Sequence, residues 1–146
     1  MSVQFHSFYP GFALRKQKAV GKLILSLIRK ENGSPSLREK KAGEINYVFC
    51  SDKFLLGLNK KFLKHNTLTD IITFQYTSKK LSGEIFISIP RVKENAKKYK
   101  TPFENELYRV MIHGSLHLCG FKDKTTAQKK KIREKEDYYL LKAKIR

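Results

Sequence analysis

The chain has 146 residues, 40% hydrophobic and 12% aromatic, enough to bury a core without disulfide or metal staples, and one domain spanning residues 1–146 is expected. Thirty-one Lys and Arg against 13 Asp and Glu leave a formal net charge of +18, which favours polyanions as partners, nucleic acid first. Two separated cysteines, no signal-peptide pattern and no apolar run near the roughly 18 residues of a membrane span argue against secreted and membrane classes, so a cytoplasmic protein with no membrane partner is expected.

Val3 and Phe5, with Phe8 beyond them, alternate with polar residues and predict a first strand, which Pro10-Gly11 ends. Residues 13–32 then have helical periodicity, with Leu14, Ala19, Val20, Leu23, Ile24, Leu27 and Ile28 on one side. NGSPS at 32–36 is a turn, and GEINYVFCS at 43–51 a strand with Ile45, Tyr47 and Phe49 on one face. Ser51 or Asp52 can cap a helix over 53–64, whose apolar positions are Phe54, Leu55, Leu58, Phe62 and Leu63. After a loop at 65–69, DIITFQY and EIFISI read as two strands of a hairpin joined through 77–83. Pro90 suits the first turn of a helix reaching Tyr99.

A central helix over 101–120 follows, with Thr101 and Glu104 in capping-box spacing and Gly120 as its stop. The last helix runs from about Thr126 to Lys144, with Thr125 and Gln128 forming a second capping-box pattern. The order β-α-β-α-β-β-α-α-α predicts a layered α+β domain: a small mixed sheet of about four strands with about five helices.

HGSLHLCGFKD at 113–123 is the stretch that carries chemistry. His113 and His117, four apart on a helix, point to one side at about 6 Å and could hold one ion. Asp123 would lie about 9 Å farther along a continuing helix and 120° away, so the chain must turn back. Gly120 permits that turn, because glycine enters left-handed backbone without steric cost. Two histidines and a carboxylate leave a fourth position open, as in catalytic zinc sites. Spacing alone keeps a second reading open: a core helix that happens to carry two histidines. Gly114 stands where a zinc protease of the HExxH type has its glutamate, which weighs against peptide hydrolysis. Cys119 should face away from the two histidines while the helix lasts.

HGSLHLCGFKD, with LNKKFLKHNTLTDIITF and GEIFISIPRVKENA before it, resembles the YbeY family of bacterial rRNA maturation factors, in the family's order, over about residues 43–140. The resemblance implies a single-strand-specific, zinc-dependent endoribonuclease acting in 16S rRNA 3′ maturation and ribosome quality control. Its implied partners are rRNA and the small ribosomal subunit. It implies one Zn2+, or another divalent ion, on His113, His117 and Asp123 at the end of the central helix. Asp123 stands where the family usually has a third histidine, and an oxygen ligand also admits harder metals. Leu63 stands where the family commonly has an arginine, which makes Lys64 and His65 candidates for that role. Asp70 could orient a ligand histidine or simply cap its loop, and Glu84 is a weaker case of the same kind. Tyr76 and Phe121 could stack on bases, or be core and rim residues. Two rival readings remain: a non-catalytic ribosome-assembly factor whose structural metal takes a fourth ligand from His65, Glu84 or Cys119, and a metal hydrolase of another substrate.

Overall fold

The computed structural model describes residues 2–31, 42–65, 67–77 and 81–143. The turn expected at 32–36 and residues 78–80 of the 77–83 connection lie outside them. The elements are β1 Ser2–Ser7, α1 Gln17–Glu31, β2 Ala42–Cys50, α2 Asp52–Phe62, β3 Ile71–Thr77, β4 Leu81–Ser88, α3 Ile89–Tyr99, α4 Phe103–Leu118 and α5 Thr126–Lys142. That is the order the periodicities predict. The four strands lie side by side as β1-β2-β4-β3. β1 and β4 each pair parallel with β2, while β3 returns antiparallel along β4, so the sheet is mixed as expected.

Alternation along β2 divides the side chains between two layers. Ile45, Tyr47 and Phe49 point into the main core with Ile85 and Ile87 of β4, under α1, α4 and α5. On the opposite face a smaller cluster of Cys50, Leu55 and Ile72 lies beneath α2. The apolar side of α2 is only partly used: Leu55 is buried, whereas Phe54, Phe62 and the following Leu63 stay largely exposed.

Three boundaries differ from expectation. Helix α1 begins at Gln17 rather than at residue 13, because Lys16 takes positive φ (58°) and Leu14 is buried before the first turn. Thr101 is not the cap of α4: Pro102 takes that position and no side chain bonds the helix start. β4 begins at Leu81, so the second hairpin strand is longer than EIFISI. The remaining caps follow the sequence. Ser51 caps α2, Pro90 lies in the first turn of α3, and Thr125 with Gln128 closes a capping box on α5.

Helix α4 is the element that places the chemistry. Ten of its 16 residues are buried, so it runs through the core with little freedom to rotate. Tyr47 and Ser115 hydrogen-bond side chain to side chain, tying its middle to β2. Gly114 sets how closely it approaches the sheet. A β-carbon there would lie 2.7 Å from Ile71 Cδ1 and 3.0 Å from Ile85 Cγ2. The residue between the two histidine turns is thus small for a packing reason. Gly114→Ala should destabilise the protein by about 1–3 kcal/mol through overpacking, read from the denaturant midpoint. Wild-type stability in that variant would show that the sheet does not limit the approach of α4.

Candidate metal centre

His113 and His117 share the outer face of α4 one turn apart, their ring centroids 4.4 Å from each other. The helix ends just beyond them in a Schellman turn. Gly120 has φ 99°, its N–H donates to the carbonyl of His117, and the N–H of Phe121 donates to that of Leu116. The Phe121 ring packs on the core and anchors the turn. The Phe121 carbonyl accepts a 2.8 Å hydrogen bond from His117 Nδ1. Two residues later Asp123 Oδ2 lies 3.3 Å from His113 Nε2 and 3.4 Å from His117 Nε2. The return that the glycine permits is therefore the return the chain makes.

The tautomers follow from the partners. A backbone carbonyl only accepts, so His117 carries its proton on Nδ1. His113 Nδ1 lies 2.6 Å from Glu136 Oε2, and that carboxylate fixes the same tautomer. Both Nε2 lone pairs then face the Asp123 carboxylate and each other, 2.8 Å apart. Three electron-rich atoms converging in this way need a positive charge among them. A four-coordinate zinc with bonds of about 2.0–2.1 Å separates its ligand atoms by about 3.3–3.4 Å. The two histidine–aspartate separations already have that length, and the two rings need open only slightly. The donor set therefore fits a zinc-class ion.

Glu136 comes from α5, where it sits in the buried stripe Ile132, Glu136, Tyr139. Its Oε1 accepts from Arg109 Nη1 at 2.9 Å, and Arg109 Nη2 donates to Asp137 Oδ1 at 2.7 Å. The carboxylate is thus held on both oxygens while its side chain is only 6% exposed. Neither Glu136 nor Arg109 is among the sequence-derived candidates. The available signal was a lone acidic residue in an apolar helical stripe, a position normally filled only by a paired charge.

Burial would lower the pKa of His113, but the hydrogen bond and charge of Glu136, with help from Asp123 and Asp70, hold it above the ordinary histidine value. Asp70 is shifted up, chiefly by burial. It does not orient a ligand histidine: its Oδ2 accepts from Asn95 Nδ2 at 3.3 Å. It does line the cavity beside the histidines, about 540 Å³ in volume, together with Asn95, Glu106, Lys129 and Arg133.

Lys64 and His65 follow the C-terminus of α2 in exposed backbone, with Lys64 at φ 54°, and neither lines that cavity. The cations that do are Lys129, Arg109 and Arg133. Glu84 accepts from Tyr76 Oη at 2.5 Å, away from the histidines. Cys119 is buried, and burial pushes its thiol up to about 12. Among the described residues, His113, His117 and Asp123 are the one group of three or more metal-ligating side chains whose ligand atoms converge, and none of the three possible fourth ligands joins them. Phe121 is half-buried against the core, whereas Tyr76 is exposed.

The family model described as Endoribonuclease YbeY matches residues 12–144. An Endoribonuclease YbeY from Flavobacterium psychrophilum is 48% identical over 130 residues, covering 88% of each chain. Another, from Amoebophilus asiaticus, is 44% identical over 132 residues, covering 89% of this chain and 85% of that one. The solution structure of the Thermotoga maritima protein TM1509 superposes with a TM-score of 0.64 at 27% identity, over 94% of this chain and 86% of that one.

Two outcomes are expected. Glu136→Gln should weaken zinc binding about 10–100-fold in a competitive chelator titration; unchanged affinity would remove Glu136 from the ligand support. The second concerns pH. His113 has a folded-state pKa above its unfolded value near 6.5, so its contribution is fully present below about pH 6.5 and lost as pH rises through the folded pKa. Thermal melts of metal-free protein should therefore fall between about pH 6 and 8, and Glu136→Gln should flatten that slope. A rising slope in the wild type would contradict the assignment.

Proposed function

The chain belongs to the Endoribonuclease YbeY family, and from that premise we propose that it is a zinc-dependent, single-strand-specific endoribonuclease. Its proposed substrate is rRNA, at the 3′ end of 16S rRNA in small-subunit maturation and ribosome quality control, in the cytoplasm. The observation that carries the reading is the convergence of His113 Nε2, His117 Nε2 and Asp123 Oδ2 beside a cavity with cationic walls.

His113, His117 and Asp123 would hold the ion, which would supply Lewis-acid chemistry and activate water for attack on the phosphodiester. The protein's own groups do the rest. Glu136 and the Phe121 carbonyl each engage an Nδ1 and so aim both Nε2 atoms at one point. Lys129 and Arg133 border the cavity from α5, with the Arg133 side chain 64% exposed, its Nη1 4.0 Å from Glu136 Oε1 and accessible to a phosphate. Asp70 is the proposed proton acceptor on the cavity wall. Burial raises its pKa toward the range in which a carboxylate takes up a proton during catalysis.

A structural-metal reading needs a fourth protein ligand. His65, Glu84 and Cys119 all lie apart from the cluster, and three donors leave a position for a reactant. Hydrolysis of a peptide or neutral small molecule fits poorly with a charge of +18 and with Gly114 in the place of a motif glutamate. No described helix is long and apolar enough to cross a membrane.

Cleavage of single-stranded RNA by purified protein tests the reading. Activity should fall to background in His117→Ala, in Asp123→Ala and after chelation, and return when zinc is added back to chelated wild type. Cleavage that survives both chelation and His117→Ala would sink the assignment. Asp70→Asn should lose most activity while keeping its metal content and its melting temperature at pH 7. The reason is that a carboxyl whose pKa is raised by burial costs stability when ionised. RNA affinity should drop steeply between 50 and 200 mM salt, in proportion to the phosphates neutralised.

A further inference from the structure

The cavity beside the metal centre has a feature that phosphate contact does not explain: carboxylates of low exposure line it in a strongly basic protein. Asp70, Glu106 and Glu136 all line it. Glu136 is fully engaged by His113 and Arg109. Glu106 is not. It is only 8% exposed, yet among the described residues no group donates a hydrogen bond to its carboxylate. Arg109 and Arg133 act on it only through space, too weakly to offset its burial. A buried carboxylate without donors is costly, and each such group in a folded protein calls for a reason. A ligand that brings donors would supply one.

The rest of the cavity limits what that ligand is. Phosphate is disfavoured beside these carboxylates by like charge. A bare cation would need converging oxygens, and Glu106 and Asp70 form no such group. At the mouth stands Tyr99, 59% exposed, a flat aromatic at the last position of α3. Asn95, one turn earlier, carries an amide that already meets Asp70. An aromatic face at the rim, an amide on the wall and an unused carboxylate of low exposure are the elements of a nucleobase site. The volume of about 540 Å³ suits a ligand of nucleoside size.

We propose that this cavity is a base-reading subsite for the nucleotide beside the scissile phosphate: Tyr99 stacks on the base, and Glu106 accepts hydrogen bonds from its Watson–Crick edge. The inference rests on the ribonuclease reading above and adds a specificity to it. Guanine is the base that fits best. Its N1–H and N2–H point the same way and match the two oxygens of one carboxylate. Cytosine and adenine each offer one amino group there. Uracil presents an imino hydrogen between two carbonyls, which a carboxylate repels. The subsite therefore prefers guanine and rejects uracil.

The test uses the full-length, zinc-loaded protein and the four nucleoside 5′-monophosphates, with binding measured by calorimetry or by amide shifts. GMP should bind about tenfold or more tighter than UMP, the worth of one charge-assisted hydrogen bond. Glu106→Gln should remove that difference by weakening GMP and relieving the repulsion of UMP, and Tyr99→Ala should weaken all four to a similar degree. Equal affinities in the wild type, or a GMP preference that survives Glu106→Gln, would overturn the proposal. Should Glu106→Gln fail to fold, the wild-type comparison and Tyr99→Ala decide the matter. The two readings fail separately. RNA cleavage that is indifferent to guanine refutes the subsite alone, and guanine discrimination in a protein that cleaves no RNA refutes the nuclease alone.

Discussion

One buried carboxylate holds the active face of this protein together. Glu136 stands between His113 of α4 and Arg109 one turn earlier on the same helix, and it reaches them from α5. A carboxylate at that depth is tolerated only if both oxygens are satisfied, and here each has a partner. The same contact does three things at once. It docks α5 on α4, it sets the proton of His113 on Nδ1, and it points Nε2 outward. Removing it would leave the half-buried Arg109 with Asp137 as its remaining carboxylate partner and the His113 imidazole without a fixed orientation.

The turn after α4 does for His117 what Glu136 does for His113. A Schellman turn normally exists to satisfy the last helix carbonyls. Here it also delivers the Phe121 carbonyl to His117 and the Asp123 carboxylate to both rings. Helix termination and ligand assembly are therefore one event. The helix that ends there is anchored by Tyr47 through Ser115 and held close to the sheet at Gly114. The candidate site is built on a largely buried helix, with only its third possible ligand, Asp123, on a loop.

Charge is arranged in two layers. The surface excess of +18 draws polyanions from a distance without specifying where they bind. Beside the three candidate ligands, Asp70, Glu106 and Glu136 share one cavity with Arg109, Lys129 and Arg133, so both signs meet there. A phosphodiester backbone can lie against the cations while its bases approach the acceptors. Such a division separates general attraction for RNA from discrimination among nucleotides.

Local physics made much of this legible from the residues. The 3.6- and 2-residue periodicities gave the nine described elements in order. Capping residues marked Ser51 and Thr125, and the spacing of His113, His117, Gly120 and Asp123 described a helix that ends and folds back. The errors were local as well. Thr101 had the right spacing for a cap, but Pro102 took the position, and Lys16 delayed the start of α1. Lys64 and His65 are the polar residues that follow Leu63 in sequence, whereas the cations lining the cavity, Arg109, Lys129 and Arg133, come from α4 and α5. The pairing of Glu136 with His113 spans 23 residues, and Tyr99, Glu106 and Arg133 meet around one cavity from three helices. A helix period states which residues share a face, but it carries no information about which other face will lie against it. That choice is made only when the sheet and helices pack together, because burial of apolar stripes, and not neighbourhood along the chain, decides which polar groups come within hydrogen-bonding reach.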